Sequence, residues 1–312
     1  MTETWRPATE ELLRRLELTV TRRLDGLLQG DYQGLLPGPG TEPGDARAYQ
    51  PGDDVRLMDW NVTARTGHAH VRMPVADREL EVWVVADLSA SLDFGTAARE
   101  KRDVAVAAVA AVGHLTARVG NRIGAVLVQA GATSPIPARP GRDHLLSLLH
   151  RVAVAPRGDG GGPTDLGAAL VTADRLARRR GMVVVVSDFL GTPGWDRPLR
   201  ALAARHQVLA VEVVDPRELE LPDVGLLTLV DPETGRRLEV QTSDRRLRER
   251  YAEAAAGQRQ ATRATLLAAG ADHLVLRTDR DWLFDLIAHV DRRRRLRARP
   301  PAPPASPLPA AR

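Results

Sequence analysis

Leu80-Glu-Val-Trp-Val-Val-Ala-Asp87-Leu-Ser89-Ala-Ser91-Leu-Asp-Phe-Gly95 is the stretch that decides the fold. Val82 to Ala86 is apolar without alternation, which predicts a strand buried on both faces. The run ends at Asp87, and hydroxyls follow at Ser89 and Ser91. Polar oxygens at the carboxyl end of a central parallel strand sit where open α/β sheets bind ligands. A second carboxylate has the same setting, at the end of Met182-Val-Val-Val-Val-Ser-Asp188. Between the two, Gly158-Asp-Gly-Gly-Gly-Pro-Thr164-Asp165 delivers another hydroxyl ahead of a helix. Asp87, Ser89, Ser91, Thr164 and Asp188 together offer hard oxygens, which suit Mg²⁺ or Mn²⁺ and not zinc. They are the candidate ligands of one metal site.

Each has a plainer alternative. Ser91 or Asp93 suits the cap of a following helix, Thr164 suits an N-cap before Asp165, and Asp188 suits the first residue of a loop. What favours a shared site is the coincidence of two strand ends, a Gly-rich turn and the chain order.

Outward from this centre, Thr9 to Gln29 carries Leu12, Leu13, Leu16, Val20, Leu24 and Leu27 on one helical stripe. Gly30 to Gly44 is Gly- and Pro-rich, an irregular connection. Ala46 to Ala76 holds short strand-like pieces and an unusual polar set, Tyr49, Asp53, Arg56, Asp59, Trp60 and Arg65. Buried charge needs partners, so Arg56 or Arg65 is expected to pair with Asp53 or Asp59. The Asp53 to Arg65 segment is then either an ion-paired plug at the sheet edge or a surface beside the metal site. His68 and His70 could share a strand face, but lack a third metal ligand nearby.

From Glu81 the pattern alternates. Helices are expected at Thr96–Arg118, Gly141–Val152, Asp165–Arg180, Pro198–Arg205, Ser243–Ala269 and Asp281–Arg295. Strands are expected at Arg122–Gln129, Met182–Ser187, Gln207–Val213 and His273–Leu276, with a hairpin around Asp231-Pro-Glu-Thr-Gly235. The fold class is α/β: a doubly wound, mostly parallel sheet with helices on both faces, preceded by an N-terminal helix and a small β-rich segment. The expected division is 1–79 for that N-terminal part, 80–290 for the α/β domain, and 291–312 for a basic, Pro/Ala-rich disordered tail.

The 312 residues contain no cysteine, which excludes disulfides, thiolate catalysis and Cys-ligated zinc. Apolar runs such as Val104 to Val112 fall short of the roughly 20 residues that span a bilayer. The start of the chain lacks the apolar core of a secretory signal, so a soluble, cytoplasmic protein is expected. Arg292 to Arg299 could touch nucleic acid, but few aromatics stand nearby to stack bases, and a solvated tail is the expectation.

The set Asp87-x-Ser89-x-Ser91, then Thr164, then Asp188 resembles the metal-ion-dependent adhesion site (MIDAS) of von Willebrand factor A domains, over Leu80 to His289. That resemblance implies serine and threonine hydroxyls on or near the metal and aspartates acting often through water. It also implies a coordination position left for an acidic side chain of a protein partner. A narrower likeness covers almost the whole chain. Tyr49-Gln-Pro-Gly-Asp-Asp-Val-Arg56-Leu-Met-Asp59-Trp60, with Thr63-Ala-Arg65 and Asp87-Leu-Ser-Ala-Ser-Leu-Asp-Phe-Gly95, resembles the signature of the prokaryotic domain-of-unknown-function 58 family. Many members carry amino-terminal membrane helices, which this sequence lacks. Members commonly accompany a MoxR-type AAA+ ATPase, so the likeness implies such a partner and a chaperone-like role in assembling or remodelling proteins.

Enzyme readings fit less well. Ser89 stands where a haloacid-dehalogenase-like site needs its second acid. No Gly-x-Ser-x-Gly elbow occurs at the serines, and the Gly158 to Thr164 turn lacks the lysine of a P-loop. Asp188-Phe-Leu-Gly resembles a kinase motif only loosely. The alternative that survives is a metal-dependent phosphoesterase or hydrolase on the same cluster, for which His114 or His144 would have to fold toward the strand ends. The leading expectation is a non-enzymatic, Mg²⁺-dependent interaction module.

Overall fold

A computed structural model describes residues 46–50, 55, 58–72, 80–118, 121–129, 131–157, 164–232 and 234–297. The helix expected over Thr9–Gln29, the glycines of the 158–163 turn and the tail beyond 297 lie outside these residues, as do Asp53 and Arg56.

The chain opens with β1 (Ala46–Ala48), α1 (Trp60–Thr66) and β2 (His70–Arg72). β1 and β2 pair antiparallel in a sheet of their own. The helix between them comes from Asp59, whose carboxylate accepts from the Asn61 and Val62 amides at 3.0 and 3.1 Å. The central region continues with β3 (Glu81–Asp87), α2 (Lys101–Arg118), β4 (Arg122–Gln129), β5 (Ala132–Arg139) and α3 (Arg142–Ala153). Next come α4 (Leu166–Leu176), β6 (Met182–Ser187), α5 (Asp196–Ala203) and β7 (Gln207–Val214). A hairpin of β8 (Leu226–Val230) and β9 (Arg237–Gln241) precedes α6 (Arg245–Ala268), β10 (Asp272–Arg277) and α7 (Trp282–Arg297). The arginine cluster therefore begins inside α7.

The main sheet has six strands in the order β10-β7-β6-β3-β4-β5. All neighbours are parallel except β4 and β5. This is the doubly wound α/β sheet that the alternation predicts. Each face carries its own core. Val82, Val84 and Ala86 of β3 pack toward α2, α3 and α7. Trp83 and Val85, pointing the other way, pack toward α4, α5 and α6. β3 and β6 lie at the centre, so their carboxyl ends are flanked by sheet on both sides.

Two expectations need correction. β5 lies where the sequence predicts no strand, because Pro135 and Pro137 demote the segment. It is an edge strand, where proline nitrogens can face away from the ladder. The helix expected from Thr96 begins only at Lys101. The Thr96 amide and hydroxyl are instead held by Asp215 at 2.9 and 2.6 Å, which draws residues 94–100 into a loop.

Candidate functional site

Strand ends bring Asp87, Ser89, Ser91 and Asp188 to one place. Asp87 closes β3, and the Ser89 amide donates to Asp87 Oδ1 at 3.0 Å. A short 3₁₀ turn, Ala90–Asp93, follows. It turns Ser91 back so that the Ser89 and Ser91 hydroxyls lie 2.9 Å apart. On the adjacent strand, the Ser187 hydroxyl donates to Asp87 Oδ2 at 2.6 Å. Asp188 comes next, and Ser91 is among the groups that hold its carboxyl low.

Phe189 takes a left-handed backbone, φ 57°, which costs a non-glycine residue roughly 1–2 kcal/mol. Its buried ring against Trp195, centroids 5.2 Å apart, holds that turn. The turn aims the Leu190 amide at Asp188 Oδ1, 3.1 Å away. Thr164 enters beside this loop: a Cβ placed on Gly191 would sit 3.3 Å from the Thr164 carbonyl oxygen.

Thr164 does not cap α4. Asp165 does, accepting from the Ala168 amide at 2.8 Å. The Thr164 hydroxyl is left buried with no hydrogen-bond partner among the described residues. The Thr164 hydroxyl, an orphaned buried oxygen on the segment that passes Gly191, is the kind of atom a hard cation would satisfy. The five residues thus fit the metal that the resemblance implies.

Electrostatics sharpen the picture. Burial, and then the neighbouring Asp188, push the Asp87 carboxyl up to about 6, against the opposing hydrogen bonds of Ser187 and Ser89. Asp188 moves the other way. Burial alone would raise it, but the Lys101 ammonium 2.8 Å away holds it below the usual carboxylate range.

Lys101 is fully buried and also pairs with Glu218. Glu218 belongs to the 3₁₀ turn Pro216–Glu218 after β7, where it forms a capping box with Asp215. The Asp215 amide donates to Glu218 at 3.0 Å. Asp215 is itself fully buried, and binds Thr96, Arg217 and Thr278 as well. Burial opposes its charge, yet these donors keep its carboxyl low. Asp215→Ala, which strips the partner from several buried donors, is expected to lower stability by about 3 kcal/mol in urea unfolding.

Lys101, Glu218, Asp215 and Ser187 were not among the sequence candidates. Asp215-Pro-Arg-Glu218 at a strand end carries a visible capping-box pattern. Lys101 sits in Arg99-Glu-Lys-Arg-Asp103, which looks like a solvated charge run. A cleft of about 270 Å³ opens beside the site, lined in part by Asp188, Leu190, Glu218, Leu219 and Tyr251.

The two histidines proposed as a catalytic base are elsewhere. His144 bonds the Ile123 carbonyl at 2.9 Å, at the amino end of β4. His114 lies 13 residues along α2 from Lys101, about 20 Å at helical rise. No cluster of three His, Cys, Asp or Glu suited to a metal occurs among the described residues. His70 is bonded instead to the Thr66 hydroxyl and the His68 carbonyl.

Residues 45–261 match the family described as "Protein of unknown function DUF58". An uncharacterized protein of Mycobacterium tuberculosis (strain ATCC 25618 / H37Rv) is 55% identical over 289 residues, covering 93% of this chain and 91% of its own. An uncharacterized protein of Mycobacterium avium is 49% identical over 160 residues, 51% of this chain and 94% of its own. Similar solved structures include the conserved hypothetical protein BatB from Bacteroides thetaiotaomicron, with 16% identity and TM-score 0.43 over 69% of this chain and 99% of that one. The SpRpn10 VWA domain gives 12% identity and TM-score 0.38 over 67% and 94%.

Proposed function

The chain belongs to the DUF58 family, and from that premise we propose a non-enzymatic protein-interaction module that works through a Mg²⁺ (or Mn²⁺) site. The observation that supports this most is the gathering of Asp87, Ser89, Ser91 and Asp188 at two adjacent strand ends, with the Thr164 hydroxyl buried and unpartnered on the segment that passes Gly191. Those five residues would hold the cation. When bound, it would supply an electrophilic centre for a carboxylate from the partner.

The chain's own groups set how that centre behaves. Lys101 already neutralises Asp188 in part, so little protein charge is left to quench a dication. Ser187 fixes the Asp87 carboxylate, and the Leu190 amide fixes that of Asp188. The cleft at Leu190, Leu219 and Tyr251 gives a partner side chain a place to enter. Among the described residues no helix is long and apolar enough to cross a membrane. We take the partner to be a MoxR-type AAA+ ATPase, met in the cytoplasm, with the module aiding assembly or remodelling of other proteins. A hydrolase using the same cluster would need a general base, and neither His114 nor His144 is placed to act as one.

Calorimetric titration of the purified chain with MgCl₂ and MnCl₂, beside Asp87→Ala/Ser89→Ala, tests the site. Saturable binding is expected in the wild type alone. Capture of a co-expressed MoxR-type ATPase should then require Mg²⁺ and fail for Asp87→Ala. Capture that persists in EDTA at full yield would sink the metal-bridging mechanism. Phosphate-ester turnover lost in Asp188→Ala would instead favour the hydrolase.

A further inference from the structure

A cavity of about 720 Å³ lies away from the metal cluster, at the β10 edge of the sheet. β10 pairs only with β7 among the described residues. α6 packs on one face of the sheet and α7 on the other, so the two helices form the walls of a trough with β10 as its floor.

The Thr278 amide bonds the Val214 carbonyl at 3.1 Å, toward β7. Strand alternation then turns the amide and carbonyl of Val275, three residues earlier, to the outer side, along with those of His273 and Arg277. These are the groups that a further strand would bind.

Most charge in the trough is internally matched. Glu212 takes Arg259 at 3.0 Å and His273 at 2.8 Å, and Asp272 takes Arg293 at 2.6 Å. Two buried atoms are not matched. Arg292 can only donate, so its 3.1 Å contact makes His289 Nδ1 an acceptor. The ring proton therefore sits on Nε2, which has no partner and is buried. One helical turn earlier on α7, Asp285 Oδ2 is likewise buried without a partner.

An orphan donor and an orphan acceptor stand one turn apart on one helix face, and a peptide brings both an acceptor and a donor to them where a free anion brings only acceptors. A small free anion would be repelled by Asp285. The carboxylate distinguishes a peptide from phosphate.

We propose that the β10 edge accepts an extended, acidic segment of a partner protein as a seventh strand of the sheet. Its backbone pairs with the outward groups of Val275, and its polar groups on the α7 side meet Asp285 and His289. Its side chains alternate toward α6 and α7, where Arg263 and Arg292 line the two walls. Strand addition of this kind draws affinity from main-chain bonds and specificity from alternate side chains.

The test uses the full chain and a fluorescein-labelled eight-residue peptide of alternating Glu and Val, followed by anisotropy with and without EDTA. Saturable, salt-sensitive binding is expected, unchanged by EDTA and by Asp87→Ala. That independence separates this site from the metal reading. Val275→Pro removes one outward amide and no ladder bond, and should weaken binding at least about tenfold. Arg263→Glu/Arg292→Glu should do the same with the edge backbone intact. Circular dichroism would verify that the variants are folded. An Arg-for-Glu peptide that binds as well, no saturable binding, or wild-type affinity in both variants would overturn the proposal. So would a chain that self-associates through this edge and is made monomeric by Val275→Pro, since a second copy would then be the occupant.

Discussion

Replacing Lys101 with Met is expected to cost about 3–5 kcal/mol of stability in urea unfolding carried out in EDTA. The side chain is fully buried, so its own desolvation cost disappears with the charge, but that gain is outweighed by what is left behind. What remains is Asp188 and Glu218 facing the same space without the ammonium that joins them. Asp87 adds a further carboxyl close enough to interact with Asp188. Lys101→Met/Glu218→Gln should recover part of the loss, because it removes one of the stranded charges. Added Mg²⁺ should raise the midpoint of Lys101→Met by more than it raises the wild type, since a dication would then be the only counter-charge available to Asp188. A Lys101→Met chain as stable as wild type would show that the ion pair is energetically idle.

Asp87→Asn should act in the opposite sense on stability and remove metal binding. In the wild type the folded-state carboxyl titrates near 6, against an ordinary 3.8. The folded protein therefore holds more protons than the unfolded chain between these values, and stability falls as pH rises through them. Well above pH 6 the difference approaches about 3 kcal/mol, and an asparagine, with no charge to bury, escapes it.

His289 works against this trend in the same window. Burial, and then Arg292 and Arg293, depress it to about 4, so its contribution grows as pH rises toward 6.5. The Asp87 part must accordingly be read as the difference between variant and wild type in urea unfolding. Asp87→Asn should gain up to about 3 kcal/mol at pH 7.5 and almost nothing at pH 4. In saturating Mg²⁺ the wild type should recover stability and the variant should not. A difference independent of pH would show that burial of Asp87 carries no electrostatic cost.

The centre of the molecule was legible in the chain because β3 and β6 are buried on both faces, and such strands are written as unbroken apolar runs. The carboxylates at their ends, Asp87 closing β3 and Asp188 just after β6, could be placed for the same reason. Thr164 and Asp165 were harder to separate, as adjacent oxygens equally able to cap a helix. Only the fold shows that Asp165 does so and leaves Thr164 free. Lys101 was not legible at all. Its neighbours Arg99, Glu100 and Asp103 make a charged opening turn, while burial of α2 on nearly all sides is a property of the packed sheet, α3 and α7. β5 was lost for a local reason, since Pro135 and Pro137 speak against a strand unless that strand is known to lie at an edge.

Those two prolines carry a consequence for stoichiometry. An edge strand containing proline keeps its ladder only if the ring nitrogens face outward, so the β5 border of the sheet lacks two of the donors that another strand would need. The β10 border keeps its outward amides. Growth by strand addition is thus possible on one side and blocked on the other. Chains that join at the β10 border can form a closed pair or a one-to-one complex, but cannot propagate as a fibre through the sheet.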